Sequence, residues 1–266
     1  MPLATPLITL LTDFGERDYF VASMKGVILN INPQARIVDL SHHVTAHDVT
    51  DAAYLLKSCY RYFPDGTIHV AVVDPGVGSQ RRPLLVSSSR YFFIGPDNGV
   101  FTHVCQEESG VEVRQIENRQ YRLDSDGATF DGRDLFAPAA AWLTKGQSIG
   151  SFGRLVPNYE RLSIPEPAWD KHVMAGQIVY IDRFGNLISN LTAYHLKEVR
   201  GLTKRSDPYV RIGGHTIDGV GRSYAEGSPD QPQALMNSNG YVEVFVKEGR
   251  AAERLNVSRG ARIELC

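Results

Sequence analysis

The feature that most constrains the fold of this chain is an apolar run that stops in an acid, a proline and two glycines. The run covers residues 68–73, continues as Asp-Pro-Gly-Val-Gly over residues 74–78, and is followed by Arg81. Such a run is typical of a buried strand, and a strand that ends this way carries its last side chain to the carboxyl edge of a sheet, where open α/β folds bind ligands. The two glycines allow a sharp turn and a close approach to a ligand. Taken alone, the pattern favours an ordinary tight turn that holds an acid, but three similar strand ends elsewhere in the chain favour a ligand site.

The composition is that of a globular protein without an excess of basic residues. The chain has 266 residues, 28 basic and 30 acidic residues, a formal net charge of −2 and 42% hydrophobic residues. This length can bury a full core and favours two domains. The charge balance offers no basic surface for nucleic acid or an anionic membrane, and no apolar run reaches the roughly 18 residues of a membrane span. We therefore expect neither nucleic acid nor a membrane as a partner.

The cysteines favour a reducing compartment. Cys59, Cys105 and Cys266 are scattered and odd in number, with neither disulfide-framework nor zinc spacing. The N-terminus lacks a basic segment ahead of its apolar residues, and Thr12 and Asp13 cut those residues short, so no signal peptide is expected. The sequence predicts a cytoplasmic protein without a metal site.

The first part of the chain alternates strand and helix patterns. Strands are predicted at residues 7–11, 35–40, 67–73, 83–87 and 91–94, and helices at residues 18–29, 48–60 and 132–143, with a short helix opened by residues 95–99. Alternation of this kind predicts an α/β fold class. We expect an N-terminal three-layer α/β domain with a mainly parallel sheet over residues 1–160.

The character of the chain changes after about residue 155. Residues 156–171 carry three prolines and are predicted to form a linker. Short β-rich runs follow at residues 176–181, 209–212, 234–236, 241–246 and 261–265, and helical patterns there are few and short. The pattern predicts a smaller C-terminal all-β barrel or sandwich domain over residues 172–266.

Polar residues follow several of the predicted strands in the first domain. Asp13 ends the first strand, where a carboxylate can accept two hydrogen bonds from a ribose diol, or can cap a helix. Asp97 and Asn98 follow the last strand and belong either to an ordinary turn or to a cleft beside Asp13 and Asp74. Asp131, in Thr-Phe-Asp-Gly-Arg-Asp over residues 129–134, either caps the next helix or faces the same cleft.

Two further motifs lie in the β-rich part. Asp182, Phe184 and Asn186 offer an acid, an aromatic ring and an amide that could bind an amine, stack on a base and pair with a base edge, or could form a strand turn. Residues 237–241, which include Ser238, and residues 249–252, which include Ala251, flank a strand. They suit polar contacts to a zwitterion and backbone contacts to a base, or ordinary hairpin turns.

Taken in this order, the six motifs resemble the S-adenosyl-L-methionine hydroxide adenosyltransferase family, whose relatives are the fluorinases and chlorinases. The resemblance runs from Leu7 to about Leu265 and so covers nearly the whole chain. It implies a larger N-terminal α/β domain and a small C-terminal β-barrel domain. It also implies a homotrimer whose sites lie at subunit interfaces, between the N-domain of one subunit and the C-domain of the next.

The resemblance also implies roles for single residues in the first domain. Asp13 is similar to the acid that holds the ribose diol, and Asp74 and Arg81 to two members of a water-orienting Asp-Arg-His triad. The third position departs from the family, which commonly has His where this chain has Asp131. The exact arrangement that activates water is therefore open.

In the second domain the resemblance assigns contacts to both ends of the substrate. Asp182 and Ser238 are similar to residues that contact the methionine end. Phe184 and Asn186 are similar to the residues that stack on adenine and bind its edge, with the Ala251 backbone nearby.

The activity implied is hydrolysis of S-adenosyl-L-methionine to adenosine and L-methionine, by in-line attack of water or hydroxide on C5′. The sulfonium is already a good leaving group, so no metal or second cofactor is expected. Halide transfer is the first alternative, although a carboxylate such as Asp74 would repel a halide by about 4 kcal/mol at about 4 Å and an effective dielectric near 20, and the halogenating relatives are uncharged there. A nucleoside-binding protein with little turnover is the second.

Overall fold

The structure, a computed structural model, describes residues 6–203 and 207–266. The chain divides into two compact units, Met1–Leu162 and Ser163–Cys266. Within the described ranges no helix combines the length and apolar character needed to cross a membrane.

The first unit is built on a six-stranded sheet. Its strands are β1 (Leu7–Thr12), β2 (Arg36–Ser41), β3 (Ile68–Val72), β4 (Pro83–Ser87), β5 (Phe92–Pro96) and β6 (Glu112–Gln115). Their spatial order is β2-β1-β3-β5-β4-β6. In this order the first four strands, β2, β1, β3 and β5, run parallel to one another. β4 pairs antiparallel with both β5 and β6. The predicted mainly parallel sheet is confirmed.

Helices cover both faces of this sheet. They are α1 (Phe20–Ile31), α2 (Val49–Cys59), α3 (Thr102–Glu107) and α4 (Ala137–Thr144), the last preceded by a π-helical turn, Gly132–Phe136. Because side chains alternate along a strand, Leu10 packs with Met24 of α1 on one face, and Leu11 packs with Leu56 of α2 on the other. Two separate apolar cores result, which confirms the three layers.

The two central strands bring acidic residues to one edge of the sheet. β1 and β3 are buried along their whole length, as expected of parallel strands that are covered on both faces. They pair in parallel with Thr12 opposite Val72. Asp13 and Asp74, which follow these strands, therefore emerge at the same carboxyl edge.

The structure differs from the sequence expectation around residues 95–99. Gly95 continues β5 instead of opening a helix, and α3 begins at Thr102. The reason is a close approach of two strands, since a Cβ at Gly95 would lie 2.2 Å from the Ala71 carbonyl oxygen. β6 was not predicted.

The second unit is mainly antiparallel β structure. Its strands are β7 (Ala168–Asp170), β8 (Val173–Ile181), β9 (Leu187–Thr192), β10 (Val210–Ile212), β11 (His215–Ile217), β12 (Pro232–Met236), β13 (Tyr241–Val246) and β14 (Arg262–Leu265). Their order is β11-β10-β14-β8-β9-β13-β12, with β7 on β8. The two end strands, β11 and β12, contact each other, so the sheet is a nearly closed barrel, as predicted.

Two helices accompany this barrel, α5 (Ala193–Thr203) and α6 (Ala251–Leu255). The sequence analysis did not predict the longer one, α5. Leu196 and Val199 are its buried residues and pack into the barrel core. Two inward residues on an otherwise mostly polar helix give a weak periodic signal.

Candidate functional site

The centre of the first unit's site is a guanidinium held between two carboxylates. Arg81 Nε donates to Asp74 Oδ1 at 3.0 Å and to Oδ2 at 2.9 Å, and its Nη2 donates to both Asp74 Oδ2 and Asp131 Oδ2. The side chains of Arg81, Asp74 and Asp131 are 11%, 5% and 14% exposed. The structure therefore brings together all three residues to which the sequence assigned water positioning.

The surroundings keep Arg81 charged. Burial alone would lower the pKa of Arg81, but hydrogen bonds and the charges of Asp74 and Asp131 outweigh it, so the pKa lies above its ordinary value. The guanidinium also lies over the Phe136 ring, 5.4 Å from its centroid, a favourable cation–π contact. A fixed cation at this point orients both carboxylates whatever the working pH.

The loop after β3 curls Arg81 back towards Asp74. Gly78 adopts a left-handed backbone with φ of +77°, as the turn requires. Gly76 serves a different purpose, because a Cβ there would lie 3.3 Å from Arg81 Cγ. The small residue leaves room for the arginine stem to fold over the loop.

Asp131 does not cap the helix that follows it. Its side chain makes no capping hydrogen bond to the π-helical turn, and its carboxylate is taken up by Arg81. Of the two sequence interpretations, the structure supports the one in which this side chain faces the cleft. π-helical turns are frequent at functional sites.

Asp13 lies in the same cavity and is likewise not a helix cap. It precedes α1 by several residues, and its Oδ2 accepts a hydrogen bond from the His47 backbone N–H at 2.8 Å. The cavity has a volume of about 330 Å³. Its lining residues are Asp13, Phe14, Phe20, Ala46, His47, Val72, Asp74, Val77, Thr129, Phe130, Asp131 and Gly132.

Three aromatic rings form an apolar wall of this cavity. The ring of Phe20 lies 5.6 Å from that of Phe14 and 5.2 Å from that of Phe130. The Phe20 and Phe130 rings pack edge to face, whereas the Phe14 and Phe20 rings are tilted. Apolar rings lower the local dielectric beside the carboxylates. The sequence analysis missed them, although Phe14 and Phe130 adjoin the two acids that it singled out.

The structure does not bring Asp97 and Asn98 to this cavity lining. Asp97 is paired with Arg82 and accepts a hydrogen bond from the Glu160 backbone N–H at 2.8 Å. Asn98 Nδ2 donates to the Val73 carbonyl oxygen at 2.8 Å. Both side chains hold neighbouring backbone in place, which is the turn interpretation of this motif.

The second unit contains a separate cleft of about 590 Å³. Asp182, Phe184 and Asn186 all line it, together with Tyr224 and Arg250. Phe184 is 71% exposed, so its ring face is open to a stacking partner. The structure thus groups three of the predicted substrate contacts.

Asp182 already organises its own turn. Its Oδ1 accepts from the backbone N–H groups of Phe184 and Asn186, each at 2.9 Å, and its Oδ2 accepts from Asn186 Nδ2 at 3.1 Å. The carboxylate therefore fixes the direction in which the ring and the amide are presented. A contact from Asp182 to a ligand amine stays a prediction.

The remaining two predicted contacts, Ala251 and Ser238, are not among the residues that line this cleft. Ala251 is fully buried at the start of α6, and the next residue, Ala252, donates its N–H to the Gly185 carbonyl oxygen at 2.9 Å. This bond joins α6 to the Asp182 turn. Ser238 is exposed in the turn between β12 and β13.

A buried carboxylate beside the cleft was missed. Glu243, in the middle of β13, is 3% exposed and accepts hydrogen bonds from Tyr224 Oη at 2.5 Å and Asn237 Nδ2 at 3.1 Å. Burial, and then the contact with Glu243, raises the pKa of the Tyr224 phenol. The available signal was a charged residue inside the apolar run of residues 241–246.

No group of three or more His, Cys, Asp or Glu side chains is arranged to hold a metal ion among residues 6–203 and 207–266.

The chain matches two family models along most of its length. Residues 8–153 match the SAM hydroxide adenosyltransferase N-terminal domain, and residues 176–264 match the C-terminal domain of the same family. It is 37% identical to an "(R)-S-adenosyl-L-methionine hydrolase" from Methanocaldococcus jannaschii over 97% of this chain and 95% of that protein. It is 26% identical to a "Fluorinase" from an Actinoplanes species over 97% of this chain and 96% of that one.

A solved structure has the same fold. An uncharacterized conserved protein from Thermotoga maritima superposes with a TM-score of 0.89 at 32% identity, over 97% of this chain and 99% of that one. The motifs, the fold and these full-length matches agree. The chain therefore belongs to the SAM hydroxide adenosyltransferase family.

Proposed function

We propose that this protein hydrolyses S-adenosyl-L-methionine, in its (R)-sulfonium form, to adenosine and L-methionine. The observation that carries the proposal is the Asp74–Arg81–Asp131 cluster, whose two carboxylates line the same cavity as Asp13. The choice of the (R) epimer is supported by the name of the M. jannaschii relative.

The chemistry asks for positioning more than for acid catalysis. The oxygen of water attacks C5′ in line with the carbon–sulfur bond, and the bonding electron pair leaves with sulfur, which becomes the neutral thioether of methionine. The proton that water loses passes to a carboxylate of the cluster or to solvent. Holding the two reactants in line can supply up to roughly 7–11 kcal/mol of the barrier. Since the substrate brings its own leaving group, we expect turnover to need no cofactor and to survive chelating agents.

Halide transfer on the same scaffold is the main alternative. The cluster argues against it, because its two carboxylates and one guanidinium leave one unit of negative charge in excess, and a unit negative charge about 4 Å from a halide costs about 4 kcal/mol at an effective dielectric near 20. Water carries no such penalty and can donate a hydrogen bond to the carboxylate. A nucleoside-binding protein with little turnover is the second alternative, since the cluster contains no imidazole.

We further propose a homotrimer in the cytoplasm whose sites each use two subunits. The water- and ribose-binding groups lie in the first unit, and the base- and amino-acid-binding groups in the second. Each unit alone thus offers half of the contacts that the substrate needs.

Product analysis tests the proposed reaction. The protein is incubated with each sulfonium epimer, with and without chloride or fluoride, and the products are separated chromatographically. We expect the parent protein to form adenosine and L-methionine from the (R) epimer in all salts. With the Asp74→Asn variant we expect adenosine to form no faster than it does without protein. A 5′-halo-5′-deoxyadenosine product would establish halide transfer, and bound but unconverted substrate would establish the binding protein.

A further inference from the structure

His47 has an unusual backbone at the edge of the first unit's cavity. Its φ is +64°, which makes it one of five non-glycine residues with positive φ in the part of the chain that the structure describes. This region is disfavoured for residues with a Cβ, and a residue stays there only where its surroundings hold it. Such positions are enriched at ligand sites.

Neighbouring hydrogen bonds hold the loop on both sides of His47. The Asp48 N–H donates to the Thr45 carbonyl oxygen at 3.0 Å, and the Thr45 N–H donates to Asp51 Oδ2 at 2.8 Å. Asp48 also caps α2, because its side chain accepts from the Asp51 N–H. The loop is therefore anchored to the start of a buried helix.

The left-handed turn directs one amide towards Asp13. Rotation about the His47 N–Cα bond sets how the preceding peptide group faces relative to α2, which begins at Val49. With φ positive, the His47 N–H points into the cavity and donates to Asp13 Oδ2 at 2.8 Å. A charge-assisted N–H bond to one oxygen of a carboxylate restricts rotation of the group and so favours one direction for the other oxygen.

We infer that His47 is a positioning residue for the sugar of the substrate. Its strained backbone holds the Asp13 carboxylate in the orientation that accepts the two hydroxyls of a ribose. This inference rests on the proposed function, in which a ribose occupies the cavity. The His47 imidazole also lines the cavity, so the backbone and side-chain contributions have to be separated by experiment.

Three substitutions separate them, because all remove the imidazole but differ in backbone preference. His47→Gly and His47→Asn tolerate positive φ, whereas the β-branched His47→Val does not. Adenosine affinity is measured by titration calorimetry for each, with Asp13→Ala as the reference for a lost diol contact. We expect Gly and Asn within about twofold of the parent and Val weaker by roughly five- to thirtyfold, the factor that matches the cost of a left-handed backbone.

Lys171 provides the matched control. It has φ of +56° and lies in the other unit, at the turn between β7 and β8. Lys171→Gly and Lys171→Val make the same backbone changes outside the cavity, so Val should lower the melting temperature but leave adenosine affinity unchanged. In turnover assays, His47→Val should raise KM and leave kcat within about threefold, a split that a purely structural role would not produce.

The outcomes are distinct. Equal losses in the Gly, Asn and Val variants would assign the effect to the imidazole and overturn the inference. Unchanged affinity in all three would also overturn it, while leaving the proposed function intact if the parent binds adenosine. A parent that does not bind adenosine would contradict the proposed function itself.

Discussion

At the scale of single residues, Asp131 is where the sequence analysis expected a departure from the family pattern, with an aspartate in place of the histidine that the resemblance implies. Its carboxylate reaches Arg81. The arginine thus bridges two acids, and the cluster that is proposed to orient water contains no imidazole. Carboxylates of this kind can still accept hydrogen bonds from water.

Changing Asp131 should alter turnover more than binding. We expect Asp131→Asn to lower kcat by up to about 100-fold, the cost of a modest misplacement of the attacking water, with unchanged affinity for a non-reactive substrate analogue. Asp131→His should stay active, and its kcat should rise with pH near pH 6.5, because the neutral imidazole above that pH accepts a hydrogen bond. We expect no such rise near pH 6.5 in the kcat profile of the parent. Profiles of kcat against pH for the three proteins check this. Parent-like kcat in Asp131→Asn would leave water positioning to Asp74 and Arg81 alone.

At the scale of elements, two of the described strands, β3 and β13, carry a buried ionisable side chain inside an otherwise apolar run. His69 lies at 0% exposure in β3, its Nδ1 is 2.8 Å from Thr9 Oγ1, and its ring stacks on Phe93 at 5.3 Å. Glu243 is the corresponding residue of β13. Each of these strands ends beside a candidate site. The packing of its buried ionisable side chain therefore affects the position of the site residues that follow the strand.

His69 should make the protein less stable in mild acid. Burial lowers the pKa of His69 to about 3, below its value in the unfolded chain, so on acidification the unfolded chain binds a proton that the folded chain does not. The contribution of neutral His69 to the free energy of unfolding is therefore fully present above about pH 6.5 and is lost as the pH falls towards 3. The loss between pH 7 and pH 5 is about 2 kcal/mol. His69→Phe should flatten the dependence of unfolding free energy on pH measured by urea denaturation, and the exposed His43→Gln should not. An unchanged slope in His69→Phe would contradict the assignment, since His103, lowered to about 4, would then account for it.

Removing the Glu243 carboxylate should destabilise the second unit. Glu243→Ala leaves the Tyr224 hydroxyl and the Asn237 amide without their acceptor, at a cost of roughly 2–5 kcal/mol for two hydrogen bonds to a buried charge. The control is Glu253→Ala. Glu253 is paired with Arg250 on the surface, and an exposed pair contributes about 0–1 kcal/mol to stability. Thermal and urea unfolding compare the two variants. Equal stability of both would show that the buried carboxylate contributes no more than a surface one.

At the scale of the whole molecule, the candidate groups are divided between the two units. Asp13, Asp74, Arg81 and Asp131 all precede residue 162, whereas Asp182, Phe184 and Asn186 all follow residue 163. The division has a direct consequence for mixed assemblies.

Two inactive variants should complement each other in the proposed trimer. After subunit exchange, an equal mixture of Asp74→Ala and Asp182→Ala should pair two intact halves at about a quarter of the interfaces of a ring, and hydrolysis should recover accordingly. A mixture of Asp74→Ala with Arg81→Ala is the matched control, since every first-unit half is then defective. Absence of recovery after exchange has been verified by mass spectrometry would argue against a shared site.

Local patterns in the sequence were enough to predict the buried strands and the acids that follow them. A continuous apolar run specifies a strand covered on both faces, as in β1 and β3. The helix predicted over residues 48–60 is α2, and Asp48 caps it, a local signal because capping depends on residues only three positions apart. The weakly periodic α5 and the short β6 were not predicted, since only their packing against distant residues defines them.

The sequence by itself determined the alternation of elements, the change to β structure in the second half, and which acids lie at strand ends. Only the tertiary structure decided how those acids are used. Asp97 follows a predicted strand and Asp131 precedes a predicted helix, but only the tertiary structure shows that Asp97 pairs with Arg82 and Asp131 with Arg81. It likewise decided that the His47 amide meets Asp13. The physical reason is that a side chain's partner is set by which strands and loops are neighbours in space, and sequence separation carries little information about that.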